Sequence, residues 1–369
     1  MTAALELLGG LVGLVIAGTA IVRAASVIGA KFGLPPLVIG LTIVAAGTSA
    51  PELAVVWRAA DNGESGLALG SVVGSNIANV LLVLGIVAVI RAINVSRQAV
   101  MLDAPVMIAS SVLVLVLGLD GNITQSDGFI LVACLITYIT STILVSRRNE
   151  RLGVAATAPA PVPAADAPTT DADSDSADRG DRSWLILGFE RIADTFVGAV
   201  ALFAIGAVGV AISAQFVVSG AGSLALSWGM SELVVGLTVL AVGTSAPEIA
   251  TSVIAALRGN ADVALGNAIG SNVFNLLFVL GLVSATHSDL PVESSLQTLN
   301  LPVMLAAAIL ALPYAITRLQ IERLEGIMFL VIYVAYTVYL VLDGTGNGLR
   351  EEFGLVALAV VAPLSLAVI

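Results

Sequence analysis

The chain has 369 residues, of which 58% are hydrophobic and 11% charged, with a formal net charge of −11. A soluble globular domain carries roughly 25% charged residues, so the composition excludes a water-soluble fold, and the chain is expected to bind no nucleic acid. One cysteine, Cys134, inside an apolar run, and one histidine, His287, in a polar loop beside Asp289, exclude a disulfide framework, a cysteine-based metal site, a histidine-based zinc site and a Ser-His relay; both residues are expected to be fillers or surface groups.

Apolar runs of about 20 residues recur along almost the whole length without the period-two alternation of barrel strands, which predicts an all-α polytopic membrane protein. In chain order the runs are 5–29, 36–59, 65–90, 98–118 and 126–146, then 192–218, 231–257, 261–286, 296–317 and 322–342. The first lacks a basic start and is too long for a signal peptide, so it reads as a retained span. A tail at 353–369 holds Pro363 and is either an eleventh helix or an interfacial segment. The organisation expected is therefore a five-helix unit at 1–146, a linker at 147–191, a second five-helix unit at 192–342, and a C-terminal loop and apolar segment at 343–369.

Loop charges orient the spans. With the N-terminus outside, thirteen of the 15 Lys and Arg fall on the cytoplasmic side, and only Arg58 and Arg350 fall outside, as the positive-inside rule requires. That predicts a multi-pass protein of the cell (inner) membrane with a cytoplasmic linker. The outer loops carry Asp61, Glu64, Asp120, Asp127, Glu232, Asp289, Glu293 and Asp343, an acidic mouth that would concentrate cations. The linker stretch 152–183 is Ala/Pro-rich, then Asp/Ser-rich, and reads as a disordered tether. Its "DADSDSAD" (171–178) is not a calcium loop, because the glycine and glutamate such a loop needs are Ser176 and Arg182.

The chain is internally duplicated. Residues 39–86 align without a gap with 235–282, and 25 of the 48 pairs are identical. Five spans per unit is an odd number, so the second copy enters the membrane from the opposite side, which makes an inverted repeat with a substrate site near the midplane. The repeated phrase is GTSAPE, at 47–52 and 243–248. Pro51 and Pro247 break their helices, the second and the seventh, by offering no N–H to the residue four back. The freed carbonyls need partners where there is no bulk water. Each copy also carries a glutamate, Glu52 and Glu248, and a charge at mid-membrane costs about 2.5–3.5 kcal/mol on insertion scales. Two converging carboxylates persist only if protons or cations neutralise them.

Thr48, Ser49 and Glu52 share a local face, as do Thr244, Ser245 and Glu248. They form an all-oxygen set suited to Ca²⁺ or Na⁺. On the following helices Ser71, Ser75 and Asn79, and in the second copy Asn267, Ser271 and Asn275, make a polar stripe at i, i+4, i+8. Gly70 and Gly74, like Gly266 and Gly270, leave grooves for close helix approach. Asp103, with Asn300 as its counterpart, is the remaining acid near a span, read as satisfying loose backbone groups or as a proton-coupling group.

Two copies of G-x-x-x-x-x-x-G-T-S-x-P-E, each followed by G-N/S-x-x-G-S-N-x-x-N, resemble the alpha repeats of the cation/Ca²⁺ antiporter superfamily, and within it the prokaryotic Na⁺/Ca²⁺ exchangers. The resemblance implies that Glu52 and Glu248 bind Ca²⁺ and Na⁺ alternately. It implies carbonyl ligands at Thr48 and Thr244 for Ca²⁺ and at Ala45 and Ala241 for Na⁺, serine ligands at Ser49, Ser75, Ser245 and Ser271, and central amides at Asn79 and Asn275. Many relatives carry Asp at the position of Asn275, and its absence argues against K⁺ co-transport. The G-N-x-x-E motif of the cation/proton branch is missing, which lowers the proton reading. What is implied is alternating-access exchange of Ca²⁺ for Na⁺ across the bilayer with no cofactor beyond the transported ions. A Ca²⁺/H⁺ antiporter and a cation channel stay open as alternatives, and oligomeric state is not legible. An intramembrane hydrolase is disfavoured, because no His lies near any motif Ser.

Overall fold

The computed structural model describes residues 2–31, 49–95, 99–151, 195–257, 261–287, 289–317, 319–345 and 354. Thr48, Ala45, the first part of the second expected span, the tether at 152–183 and nearly all of the 353–369 tail lie outside the described residues.

The described residues are helical almost throughout. The first unit runs α1 (Thr2–Lys31), α2 (Ala50–Asp61), α3 (Ser65–Ala78), α4 (Leu84–Ile90), α5 (Ala104–Leu117) and α6 (Gln125–Arg151). The second runs α7 (Phe196–Trp228), α8 (Glu232–Val235), α9 (Ala241–Thr244), α10 (Ala246–Leu257), α11 (Ala261–Phe274), α12 (Gly281–Thr286), α13 (Leu301–Thr317) and α14 (Arg323–Gly344). Six of the resulting helical segments are long and apolar enough to cross a membrane, and a seventh is a bent pair. The chain is therefore a polytopic helical membrane protein. The bend, 43° between Glu232–Thr244 and Ala246–Val253, falls where Pro247 withholds its N–H, as the sequence requires.

Several helices are joined end to end through single π-helical turns, each of which slips one extra residue into the hydrogen-bond ladder. Asn79–Val83 links α3 to α4, Asn275–Leu280 links α11 to α12, and Gly236–Leu240 links α8 to α9. Ala99–Asp103 and Leu296–Asn300 lead into α5 and α13. Four of these five turns stand at matching positions of the two sequence copies, and Asn79 and Asn275 each open one.

Two short antiparallel bridges interrupt the helical architecture. β1 (Ile93–Asn94) pairs with β4 (Gln320–Ile321), and β2 (Asn122–Ile123) pairs with β3 (Leu290–Pro291). Each joins a loop of the first unit to a loop of the second, and the two exchange places when the units are swapped.

Glycines decide where helices meet. α1 lies along α7, and a Cβ on Gly10 would stand 2.8 Å from Val217 N and 2.9 Å from Ser213 O, while one on Gly220 would meet Leu7 N at 2.6 Å. α3 presses on the α8–α9 limb in the same way. A Cβ on Gly70 would be 2.7 Å from Leu233 O, and one on Gly74 2.6 Å from Leu237 O, so this groove is filled by backbone, as small-xxx-small spacing predicts. In the second copy a Cβ on Gly270 would meet nothing within 4 Å among the described residues, and the expected close approach is not made by any of them. The main apolar cluster is centred on α3, α4, α11 and α12, and a second, small one joins Ala20 and Ala24 of α1 to Ala199 and Leu202 of α7, whereas Val197, Ile205, Leu144 and Val334 face outward, exposed, as lipid-facing residues do.

His287 is not the free surface group expected from its loop. It ends α12 only 13% exposed, with Nε2 3.1 Å from Asp61 Oδ1, Nδ1 2.9 Å from Val283 O, and its ring edge-on to Trp57. The contact ties the end of α2 to the end of α12. Cys134 is exposed, consistent with a filler on the lipid side.

Candidate cation site

The bend before α10 and the turn before α2 bring Ser49–Glu52, the described part of the first GTSAPE copy, against the second copy. Ser49 and Ser245 are the last residues before these helices, with ψ of 4° and 7°, off the helical value. Their carbonyls restart the ladder, accepting from Leu53 N and Ile249 N at 2.9 Å each. Glu52 and Glu248 stand in the first turns that follow. Both are 1% exposed.

The copies are stitched together by oxygen. Ser245 Oγ donates to Glu52 Oε1 at 3.5 Å. Ser75 Oγ donates to Ala241 O at 3.3 Å and lies 3.3 Å from Thr244 Oγ1, which itself donates to Leu240 O at 3.0 Å. Ser49, Ser75, Thr244 and Ser245 have no exposed surface, and Ser271 and Asn275 have 2% and 1%. Ten of the twelve residues singled out from the sequence are thus described, and all ten are buried; the other two, Ala45 and Thr48, lie outside the described residues.

Among the described residues, Ser49 Oγ, Glu52 Oε2, Asn79 Oδ1 and both polar atoms of Asn275 are buried without a hydrogen-bond partner. Buried polar atoms are normally paired, and each exception needs an explanation. Several orphaned oxygens around a carboxylate are what a dehydrated cation would satisfy, since hard cations take oxygen ligands from carboxylates, amides, hydroxyls and carbonyls. No cluster of three His, Cys, Asp or Glu exists among the described residues, so the donor set is two acids supported by neutral oxygens.

The polar stripes divide. Ser75, Asn79, Ser271 and Asn275 join the buried set. Ser71 is buried with its hydroxyl unpaired, and Asn267 turns to Thr251 and Ser252, with Nδ2 3.4 and 3.1 Å from their hydroxyls. Asp103 and Asn300 occupy equivalent contacts, accepting from Tyr138 Oη at 3.2 Å and from Tyr336 Oη at 2.8 Å. Sequence reasoning passed over Asn76 and Asn272, the asparagines of the two GSN triplets. Both are 2% exposed, and Asn272 Oδ1 accepts from Asn79 Nδ2 at 3.1 Å. The signal was present, since an amide is kept at this position in both copies.

The acidic residues at the loop ends also gather. Burial, then the charge of Glu232, pushes the Glu64 and Glu293 carboxyls above their ordinary range, and for Glu64 Asn62 and Arg58 act in the opposite sense.

Comparison with known proteins places these features. Residues 2–144 and 198–342 match the family model described as sodium/calcium exchanger protein. The sodium/calcium exchanger MaX1 of Methanosarcina acetivorans is 32% identical over 359 residues, 91% of this chain and 97% of that protein. The inner membrane protein YrbG of Escherichia coli is 33% identical over 277 residues, 75% of this chain and 77% of that one. Among solved structures, the sodium-calcium exchanger NCX_Mj superposes with a TM-score of 0.59 at 28% identity, over 92% of this chain and 99% of that one. The H⁺/Ca²⁺ exchanger CAX superposes with a TM-score of 0.69 over 99% and 88%, and at 16% identity this is a likeness of fold.

Proposed function

We propose, from the premise that the chain belongs to the sodium/calcium exchanger protein family, that it is a secondary active antiporter exchanging Ca²⁺ for Na⁺ by alternating access. The observation that carries this reading is the meeting of the two GTSAPE copies, with Ser245 of one within reach of Glu52 of the other and both glutamates out of contact with solvent.

Two carboxylates buried together repel and are poorly solvated, so the empty site is costly in its doubly charged form. One Ca²⁺ between Glu52 and Glu248 neutralises both. The carbonyls of Thr48 and Thr244 complete the Ca²⁺ site, and Na⁺ ions neutralise the acids from smaller sites around them that use the carbonyls of Ala45 and Ala241, with Ser49, Ser75, Ser245, Ser271, Asn79 and Asn275 as the remaining oxygen ligands. Reluctance of the uncompensated site to move through a closed, low-dielectric intermediate couples the two fluxes: the loaded carrier switches, and the empty one does not.

The architecture proposed is ten core helices as two inverted five-helix repeats, 1–146 and 192–342, with broken second and seventh helices, a tether between them, and 343–369 appended. Supporting it are the interchanging β1–β4 and β2–β3 bridges, the matched π-turns and the 43° bend. The charge bias of the loops supports a cell (inner) membrane location with the N-terminus outside.

The test is uptake of ⁴⁵Ca²⁺ into proteoliposomes holding Na⁺ inside, with the native chain, Glu52→Gln and Glu248→Gln. The native chain is expected to accumulate Ca²⁺ only when a Na⁺ gradient is imposed, and each variant to lose more than about 90% of that uptake. Normal exchange by both variants overturns the site. Uptake driven by a pH gradient and indifferent to Na⁺ would make the protein a Ca²⁺/H⁺ antiporter instead, and flux that needs no counter-ion would make it a channel.

A further inference from the structure

An asparagine can offer a cation its carbonyl oxygen only if something holds its amide the right way round, because the two ends of the side chain are nearly the same size and shape. At Asn79 the surroundings decide this. Asn272 Nδ2 lies 3.2 Å from the backbone carbonyl oxygen of Asn76 and 3.4 Å from Met107 Sδ. A backbone carbonyl only accepts and has no alternative rotamer, so the end of Asn272 facing it must be the nitrogen. Asn272 Oδ1 is then turned to Asn79, and Asn79 must answer with Nδ2, 3.1 Å away. Asn79 Oδ1 is thereby pointed elsewhere, and it is one of the buried oxygens without a hydrogen-bond partner among the described residues. The orientation of a proposed ligand is thus inherited, through two amides, from a main-chain atom that cannot flip.

The equivalent position in the other copy is built differently. Asn76, the counterpart of Asn272, donates Nδ2 to Val72 O, 2.8 Å away on its own helix. Its Oδ1 is buried without a hydrogen-bond partner, and so are both polar atoms of Asn275 among the described residues. Nothing described there imposes a direction on Asn275.

We propose that Asn272 is a positioning residue that locks Asn79 as an oxygen donor to the transported cation, while Asn275 is left free to turn. The inference rests on the reading of Asn79 as a ligand in the preceding section. A pre-aimed oxygen saves the cost of orienting it when the ion arrives, and outer groups that orient metal ligands are typically worth 10–100-fold in affinity.

Aspartate in place of Asn79 supplies the discriminating experiment, because its two oxygens are equivalent and either orientation presents one. The Ca²⁺ concentration for half-maximal Na⁺-driven ⁴⁵Ca²⁺ uptake is measured in proteoliposomes for Asn272→Ser, Asn79→Asp and the double variant, with Asn272→Leu as a second replacement should the serine variant fail to fold. In the otherwise native chain, Asn272→Ser is expected to raise KM for Ca²⁺ about tenfold with a smaller effect on kcat. In the Asn79→Asp background the same replacement is expected to move KM less than about twofold. Asn76→Ser is expected to leave KM within about twofold of the native chain. An equal KM increase in both backgrounds would make Asn272 a packing residue and overturn the proposal. An unchanged KM in both Asn272→Ser and Asn272→Leu would overturn it as well. Asn79→Leu separates the layers: if it alone leaves KM for Ca²⁺ and Na⁺ unaltered, the assignment of Asn79 to the site fails, whereas a raised KM there with no effect from Asn272 leaves the site standing and removes only the positioning role.

Discussion

A hydroxyl that has been stripped of water stabilises a protein only if something in the interior answers it, and two serines one turn apart on α3 test this. Ser75 Oγ reaches Ala241 O and Thr244 Oγ1 across the interface, while Ser71 Oγ is buried and unpaired. A paired hydrogen bond is worth about 1 kcal/mol net, and an unmade one carries its desolvation penalty uncompensated. Ser75→Ala is therefore expected to lower the stability of the detergent-solubilised protein by about 1 kcal/mol. Ser71→Ala should leave it unchanged or raise it by up to about 1 kcal/mol, read in both cases from the midpoint of thermal unfolding. A larger loss for Ser71→Ala than for Ser75→Ala would contradict this account. At this scale the sequence was informative where chemistry was costly. Glu52, Glu248 and the motif serines announce themselves because an apolar run tolerates such residues only for a reason. Asn272 does not, because its role lies in which end of Asn79 it faces, and no spacing rule encodes an amide's orientation.

Helix ends and helix seams carry the next level of argument. The seam between α3 and the α8–α9 limb is backbone against backbone at Gly74, where an added methyl would stand 2.6 Å from Leu237 O and 2.7 Å from Ala241 Cβ. Gly74→Ala must push the limb away and with it the Ser75–Ala241 hydrogen bond, so a loss of about 1–3 kcal/mol is expected, as for other overpacked interiors. Gly118→Ala meets nothing closer than Leu301 Cδ1 at 3.4 Å and should be tolerated, and equal thermal shifts in the two variants would refute the seam. At the loop ends, Glu64 and Glu293 have carboxyls raised above the ordinary range by burial and by Glu232. A raised folded-state value means that the folded protein holds protons the unfolded chain has released. Stability from this source is then greatest at low pH and declines as pH rises from the ordinary carboxylate range through the raised one. Replacing both with Gln should flatten the fall in melting temperature as pH rises above the ordinary carboxylate range, and an unchanged profile would exclude the pair as its source. Legibility at this scale follows from length. Runs of about 20 apolar residues mark candidate spans; described helices overlap each run before 353, and six of them, with the bent pair as a seventh, are long and apolar enough to cross a membrane. The π-turns and the two-residue bridges were not foreseen, because each changes the chain over only a few residues and leaves no periodicity to read. The bend before α10 was foreseen, because proline removes a named hydrogen bond.

At the scale of the molecule, alternating access needs one part to move against another, and the packing suggests which. α1 and α7 lie along each other through Gly10, Gly13, Gly206 and Gly220 and are otherwise largely lipid-facing, whereas the buried oxygens stand on α2, α3, α9, α10 and α11 and on the π-turns that begin at Asn79 and Asn275, which together form the centre. If α1 and α7 slide as a pair over that centre, a covalent link within the pair is harmless and a link from the pair to the centre is not. Both links can be placed. A Cβ on Gly13 would stand 3.1 Å from Ser213 Cβ, close to the Cβ separation of about 3.5–4.5 Å that a disulfide spans after small adjustment, and one on Gly243 would stand 3.3 Å from Leu11 Cγ, one bond from Leu11 Cβ. In a background in which Cys134 is replaced by Ala, oxidation of a Gly13→Cys, Ser213→Cys chain should leave Na⁺-driven Ca²⁺ uptake within about twofold of the reduced protein. Oxidation of a Leu11→Cys, Gly243→Cys chain should abolish uptake, and reduction should restore it. Reduction is the control that matters, because it separates arrested motion from damage by the substitutions themselves. If the first link blocks transport as fully as the second, α1 and α7 move against each other and not together. If neither blocks it, the gate lies elsewhere in the fold, and the carboxylates must be exposed to the two sides of the membrane by some other element.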